Sequence, residues 1–210
     1  MTILKTTLLS DGSSDRTLIP ILNWLLQRMV GNRALSGTQW ADLRYRRKQP
    51  HDLGERVRFA MQDYPCDILF VHRDAEAQDP DDRRTEILNA VQDSGHTPPT
   101  VCVIPVRMTE AWLLLDEAAI RSASGNPRGR HPLDLPPRNS IERVADPKEI
   151  LLEALRIASE QTGRRLRNLR VDERRHRVAE LMNWELLGGL PAFQSLETEL
   201  RATLAAGGWA

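Results

Sequence analysis

Five acidic residues, Asp11, Asp15, Asp74, Glu76 and Glu110, stand just after apolar segments of the chain. Asp11 closes the first such segment and Asp15 follows four positions later, so a turn leading into the first turn of a helix directs both to one point. Asp74 and Glu76 follow Asp67-Ile-Leu-Phe-Val-His72, and Glu110 follows Thr100-Val-Cys-Val-Ile-Pro-Val106 by one short turn. Oxygen donors of this kind suit Mg²⁺ and Mn²⁺, and sites of phosphate transfer supply carboxylates to such ions. A pair of ions about 4 Å apart can stabilise both the attacking and the leaving oxygen of phosphodiester hydrolysis. Each member also has a plain reading. Asp11, Ser13, Ser14 and Asp15 suit a turn and a helix cap, Asp74 and Glu76 suit a loop, and Glu110 suits the dipole at a helix start. Their joint occurrence after three apolar segments favours a metal site.

The elements that must position these acids follow from periodicity. Ile3 to Leu9 reads as a buried strand, and Leu18, Ile19, Leu22, Leu25, Leu26 and Met29 fall at helical spacing after it. Pro20 lies well inside that helix if Ser14 is its cap, which predicts a kink or a later start. Trp40 to Arg46 alternates, with Ala41, Leu43 and Tyr45 on one face, and predicts a second strand. Leu53, Val57, Ala60, Met61 and Tyr64 mark an amphipathic helix, and Asp81 to Asp93 another. The runs 67–72 and 100–106 have the unbroken apolar character of parallel strands buried on both faces. Strands alternating with helices imply βαβ units, so an α/β domain with a parallel sheet is expected over 1–121. In such a sheet the carboxyl ends of the strands share one edge, where ligands bind. Residues 122–140, rich in Pro, Gly and Arg, read as a loop, and 141–210 as a helical portion on the same domain, with helices at 147–163, 171–184 and 192–205.

Composition narrows the classes. The chain carries 29 Lys and Arg against 29 Asp and Glu, so no global basic field exists and a polyanion must meet a local patch. Arg164, Arg165, Arg167, Arg170, Arg174, Arg175 and Arg177 form one such concentration, readable equally as a solvated face. Cys66 and Cys102 lack the spacing of a zinc site or a disulfide scaffold and read as free thiols. The opening segment is too short for a secretory leader, and no run of apolar residues is long enough to span a membrane, so a cytoplasmic protein without membrane association is expected. Arg73 and Arg107 flank the acids and could hold phosphate oxygens bidentately, or form salt bridges with those acids.

Leu9-Ser-Asp-Gly-Ser-Ser-Asp15 resembles the strand–EGxxD/E–helix opening of the TOPRIM fold, with Asp11 in place of the usual Glu. Phe70-Val-His-Arg-Asp-Ala-Glu76 resembles its DxD strand end, with His72 where the first Asp is usual. Glu110-Ala-Trp-Leu-Leu-Leu-Asp116 is similar to the EAWLLAD segment of the TOPRIM-like family known as DUF4276, and Asp146-Pro-Lys148 and Leu190-Pro-Ala-Phe193 resemble its C-terminal portion. The resemblance implies a TOPRIM-like parallel sheet and a nuclease related to the overcoming-lysogenization-defect enzymes. It also implies two Mg²⁺ or Mn²⁺ ions, DNA or RNA as substrate, and an ABC- or AAA-type ATPase partner in antiviral defence. On that mapping Asp11, Asp15, Asp74, Glu76 and Glu110 are metal ligands or orient water, with Glu110 and Asp74 central to catalysis. Lys148 would stabilise charge developing on phosphate. His72 would ligate Mn²⁺ or transfer a proton, unless it is structural. The alternative is a catalytically degenerate subunit that regulates an ATPase complex.

Overall fold

The computed structural model describes residues 3–31, 33–76 and 78–209. Four parallel strands form one sheet in the order β2-β1-β3-β4: β1 Leu4–Leu9, β2 Leu35–Trp40, β3 Ile68–His72 and β4 Thr100–Val103. The chain leaves β1 toward β2 on one side and places β3 on the other, so the strand order reverses between β1 and β3. That reversal is where open α/β sheets form a crevice above the strand ends.

Both faces of the sheet are covered. Leu8, Phe70, Val101 and Val103 point into the larger core, beneath α1 (Leu18–Val30) and the C-terminal helices. Leu9, Leu69, Val71 and Cys102 point the other way, beneath α2 (Leu53–Asp63) and α3 (Pro80–Asp93). Burial on alternate faces explains why β3 reads as an unbroken apolar run. After β4 come α4 (Glu110–Leu113), α5 (Glu117–Ala123), α6 (Pro147–Ser159), α7 (Gly163–Arg167), α8 (Val171–Leu181) and α9 (Pro191–Ala206). The larger core runs from Leu4 to Leu204 without a break, so α5, α6, α8 and α9 share it with β1 and α1. Trp112 is fully buried in it, edge-on to Phe193 with ring centroids 5.6 Å apart. This is an α/β fold with a helical C-terminal extension, consistent with a TOPRIM-like sheet, and no helix among the described residues is long and apolar enough to cross a membrane.

The helix expected at 147–163 divides into α6 and α7, the one at 171–184 ends at Leu181 and the fourth strand ends at Val103, and two further differences lie beside the acids. Residues Ser13–Thr17 form a 3-10 turn with Gly12, not Ser14, at its cap, and α1 starts only at Leu18. Pro20 therefore lies in the first turn, where its missing N–H has no carbonyl to serve. The second strand is Leu35–Trp40, not 40–46. It is an edge strand of mostly polar residues, so no apolar run marks it. Its ladder carries one extra residue between the Leu4–Leu35 and Thr6–Thr38 pairs, where Gly37 takes φ +77°, a conformation that favours glycine. The alternation at 41–46 comes from an irregular segment that Ala41 and Leu43 anchor in the smaller core.

Candidate metal centre

The five acids emerge at the carboxyl edge of the sheet, but their surroundings differ. Asp74 is central. It leaves the end of β3 at the strand-order reversal, its side chain 29% exposed, and burial pushes its carboxyl up to about 6. His72 pulls the other way, whereas the charges of Asp15, Glu110 and Glu76 add to the rise, which makes these four acids electrostatic neighbours. Asp74 Oδ1 is buried without a hydrogen-bond partner.

His72, the last residue of β3, is 2% exposed. Its Nδ1 lies 2.9 Å from the Val103 carbonyl oxygen, and a carbonyl only accepts, so Nδ1 carries the hydrogen. The ring is thereby fixed with Nε2 3.5 Å from Asp74 Oδ1, too long for a good hydrogen bond. A carbonyl on one nitrogen and a lone pair without a hydrogen on the other is the arrangement by which histidine ligands are oriented toward metals.

The acids around this pair are engaged by the protein itself. Asp15 accepts from the Gly12 amide at 3.0 Å and from the Ser14 hydroxyl at 3.0 Å, closing the turn after β1. Its turn-forming role is therefore real, and it lies close enough to raise Asp74. Asp11, half exposed, pairs with Arg56 from α2 and with Arg73, whose Nε is 3.1 Å from Oδ2. Arg73 also reaches Glu86 at 3.3 Å, so in this state it has the salt-bridging role. Glu76 is exposed in a left-handed conformation, φ 56°. Glu110 is buried at the start of α4 against the guanidinium of Arg175 from α8. The cause is α8 itself, which crosses the 3-10 turn and α4 and turns Arg175, Val178 and Ala179 inward.

Lys148 and Arg107 stand apart. Lys148 is exposed in the first turn of α6, where Asp146 caps the helix by accepting from the Glu149 amide at 2.9 Å, and it pairs with none of the five acids. Arg107 is half-buried in the turn between β4 and α4, likewise without an ion pair among the described residues. Asp116 caps α5 and also accepts from the Asn183 amide at 2.7 Å, tying the end of the Glu110–Asp116 block to the C-terminal helices. The arginine concentration at 164–177 is largely a solvated face, with Arg170–Glu173 and Arg177–Glu180 pairs and Arg175 alone buried.

Arg56 and Arg175 are the site residues that pattern reading passed over. Nothing in the sequence singles out Arg56. Arg175 carried a signal, since it stands three and four positions before Val178 and Ala179 on the buried stripe of α8. With Asp11 and Glu110 bound to arginines, no three His, Cys, Asp or Glu side chains among the described residues are arranged to hold a metal ion. The donors that fit a cation as they stand are the His72 nitrogen and the unpartnered Asp74 oxygen. Comparison with family models, curated proteins and solved structures found no match.

Proposed function

We propose that the chain is a divalent-metal-dependent nuclease of the TOPRIM-like kind and a DUF4276 member, hydrolysing phosphodiester bonds of DNA or RNA. Its setting would be an antiviral system with an ABC- or AAA-type ATPase. Asp74 carries the reading. A carboxylate that is mostly buried, lacks a partner on one oxygen and has three acids around it weakens the fold, and a bound cation is the ligand that removes that cost. Carboxylate oxygen with one imidazole suits Mn²⁺, and Mg²⁺ through the oxygens. Asp74 and His72 would hold the first ion, and Asp15, Glu76, Glu110 and Asp11 supply donors for a second once the arginine pairs part. An ion held there would stabilise negative charge on the phosphate. Arg73 and Arg107 would steady phosphate oxygens. Lys148 enters only from the family resemblance.

A second reading rests on a separate observation. Asp11 and Glu110 are neutralised by Arg56, Arg73 and Arg175, as in an interaction subunit whose site no longer takes metal. Cleavage of plasmid and tRNA in Mn²⁺, with and without the ATPase, separates the two. The nuclease reading expects cutting that Asp74→Asn abolishes. No cutting under any of these conditions, or equal cutting by Asp74→Asn, leaves the interaction-subunit reading.

A further inference from the structure

The segment that follows β2 carries Arg44, Arg46, Arg47 and Lys48 against a single acid, Asp42. Arg44, Tyr45, Arg47 and Lys48 are exposed, Tyr45 at 64%, although the chain as a whole is neutral. Beside them a recess of about 260 Å³ opens on Ser10, Asp11, Trp40, Arg44, Gln49 and Arg56. Trp40 is fixed in its wall by an indole N–H that donates to the Ser10 hydroxyl at 3.0 Å. The guanidinium of Arg44 lies 5.0 Å from the Trp40 ring centroid and that of Arg16 5.6 Å.

We infer that this recess and the basic segment dock single-stranded nucleic acid, with one base taking the place of the Arg44 guanidinium over Trp40 and the flanking phosphates on Arg44 and Arg47. The inference deepens the nuclease reading and rests on it. A positively charged track interleaved with aromatic faces is how single strands are held without regard to sequence, because every base offers a flat face. A merely solvated basic face needs no aromatic recess. Arg44 is held by Asp42, whose carboxyl hydrogen bonding to Arg44 draws down to about 2, and Arg46 by Asp63 with its guanidinium 3.9 Å from the Phe59 ring centroid. Lys48 pairs with Glu55 at 3.2 Å, so these partners order three of the four cations, while Arg47 stands in no ion pair among the described residues and is open to phosphate. The recess admits a base only from an unstacked strand, which excludes duplex as the preferred ligand. Asp11 belongs both to the recess and to the acidic edge, where it pairs with Arg73 one residue before Asp74, so a seated strand passes the strand ends.

Fluorescence anisotropy of labelled oligo-dT, oligo-U and a duplex of equal length, in a chelator so that nothing is cut, tests the inference on the intact chain. Single strands of either sugar are expected to bind at least tenfold more tightly than duplex. Arg44→Glu with Arg47→Glu alters exposed side chains only, so the fold persists, and should weaken single-strand binding at least tenfold. It should also flatten the salt dependence by about one to two in the slope of log affinity against log salt. Trp40→Leu should weaken binding and Trp40→Phe restore most of it. Duplex bound as tightly as single strand, or parental affinity in the double arginine variant, overturns the inference. Single-strand binding without any cleavage in Mn²⁺, with or without the ATPase, upholds the docking surface and removes the nuclease reading. Cleavage undiminished by the arginine reversals does the opposite.

Discussion

Glu110 and Asp11 leave neighbouring parts of one sheet edge, and both are paired with arginine, yet they do different work. Glu110 and Arg175 are each about nine-tenths buried, whereas Asp11 is half exposed between Arg56 and Arg73. Between them Asp74 is mostly buried with no cation among the described residues paired to it except His72, which counts only when protonated. Burial therefore sorts three carboxylates of one edge into a structural tie, a surface pair and an unsatisfied group. Only the last can take a ligand without first giving up a partner.

The largest expected effect lies at the buried tie. Glu110→Ala leaves the Arg175 guanidinium buried without its counterion and should lower stability by about 3–5 kcal/mol in urea unfolding, with Glu110→Leu/Arg175→Met recovering most of it. A loss below about 1 kcal/mol would place the pair in solvent and dissolve the contrast with Asp11.

Asp74 should show the opposite sign. In the fold it holds its proton up to about pH 6, whereas in the unfolded chain it loses it near the ordinary 3.8. The folded state thus binds more protons at this group between these values, so the contribution of Asp74 to stability is fully present below pH 3.8 and is lost as pH rises through about 6. Asp74→Asn should then stabilise the metal-free protein at pH 7 by about 1–3 kcal/mol and remove this part of the pH dependence. An unchanged pH profile would mean that Asp74 is solvated. The smallest effect is expected at Asp11→Ala, under about 1 kcal/mol, because an exposed pair contributes little. A larger loss, measured in the same urea series, would make Asp11 a structural tie like Glu110.

The sheet was legible where burial is complete. β3 and β4 are largely apolar because helices cover both faces, β1 keeps Leu4, Leu8 and Leu9 around Lys5, Thr6 and Thr7, and the acids that follow the three strands fall on one edge by topology alone. β2 was not legible, since an edge strand with a glycine bulge needs neither alternation nor an apolar run. Asp74 could be placed from its position after β3. The burial of Glu110 could not, because it depends on Arg175, 65 positions away on a helix whose packing no local pattern states. The capping roles of Asp15, Asp116 and Asp146 follow local rules and were open to reading from turn chemistry.

A thermal melt of parent and Asp74→Asn across a Mn²⁺ titration tests whether a divalent cation binds at Asp74. A saturable rise in the parental Tm is expected, since only the folded chain brings His72 and Asp74 together, and no rise in Asp74→Asn beyond its higher starting value. Equal stabilisation of both proteins by Mn²⁺, or no stabilisation of the parent, would contradict it.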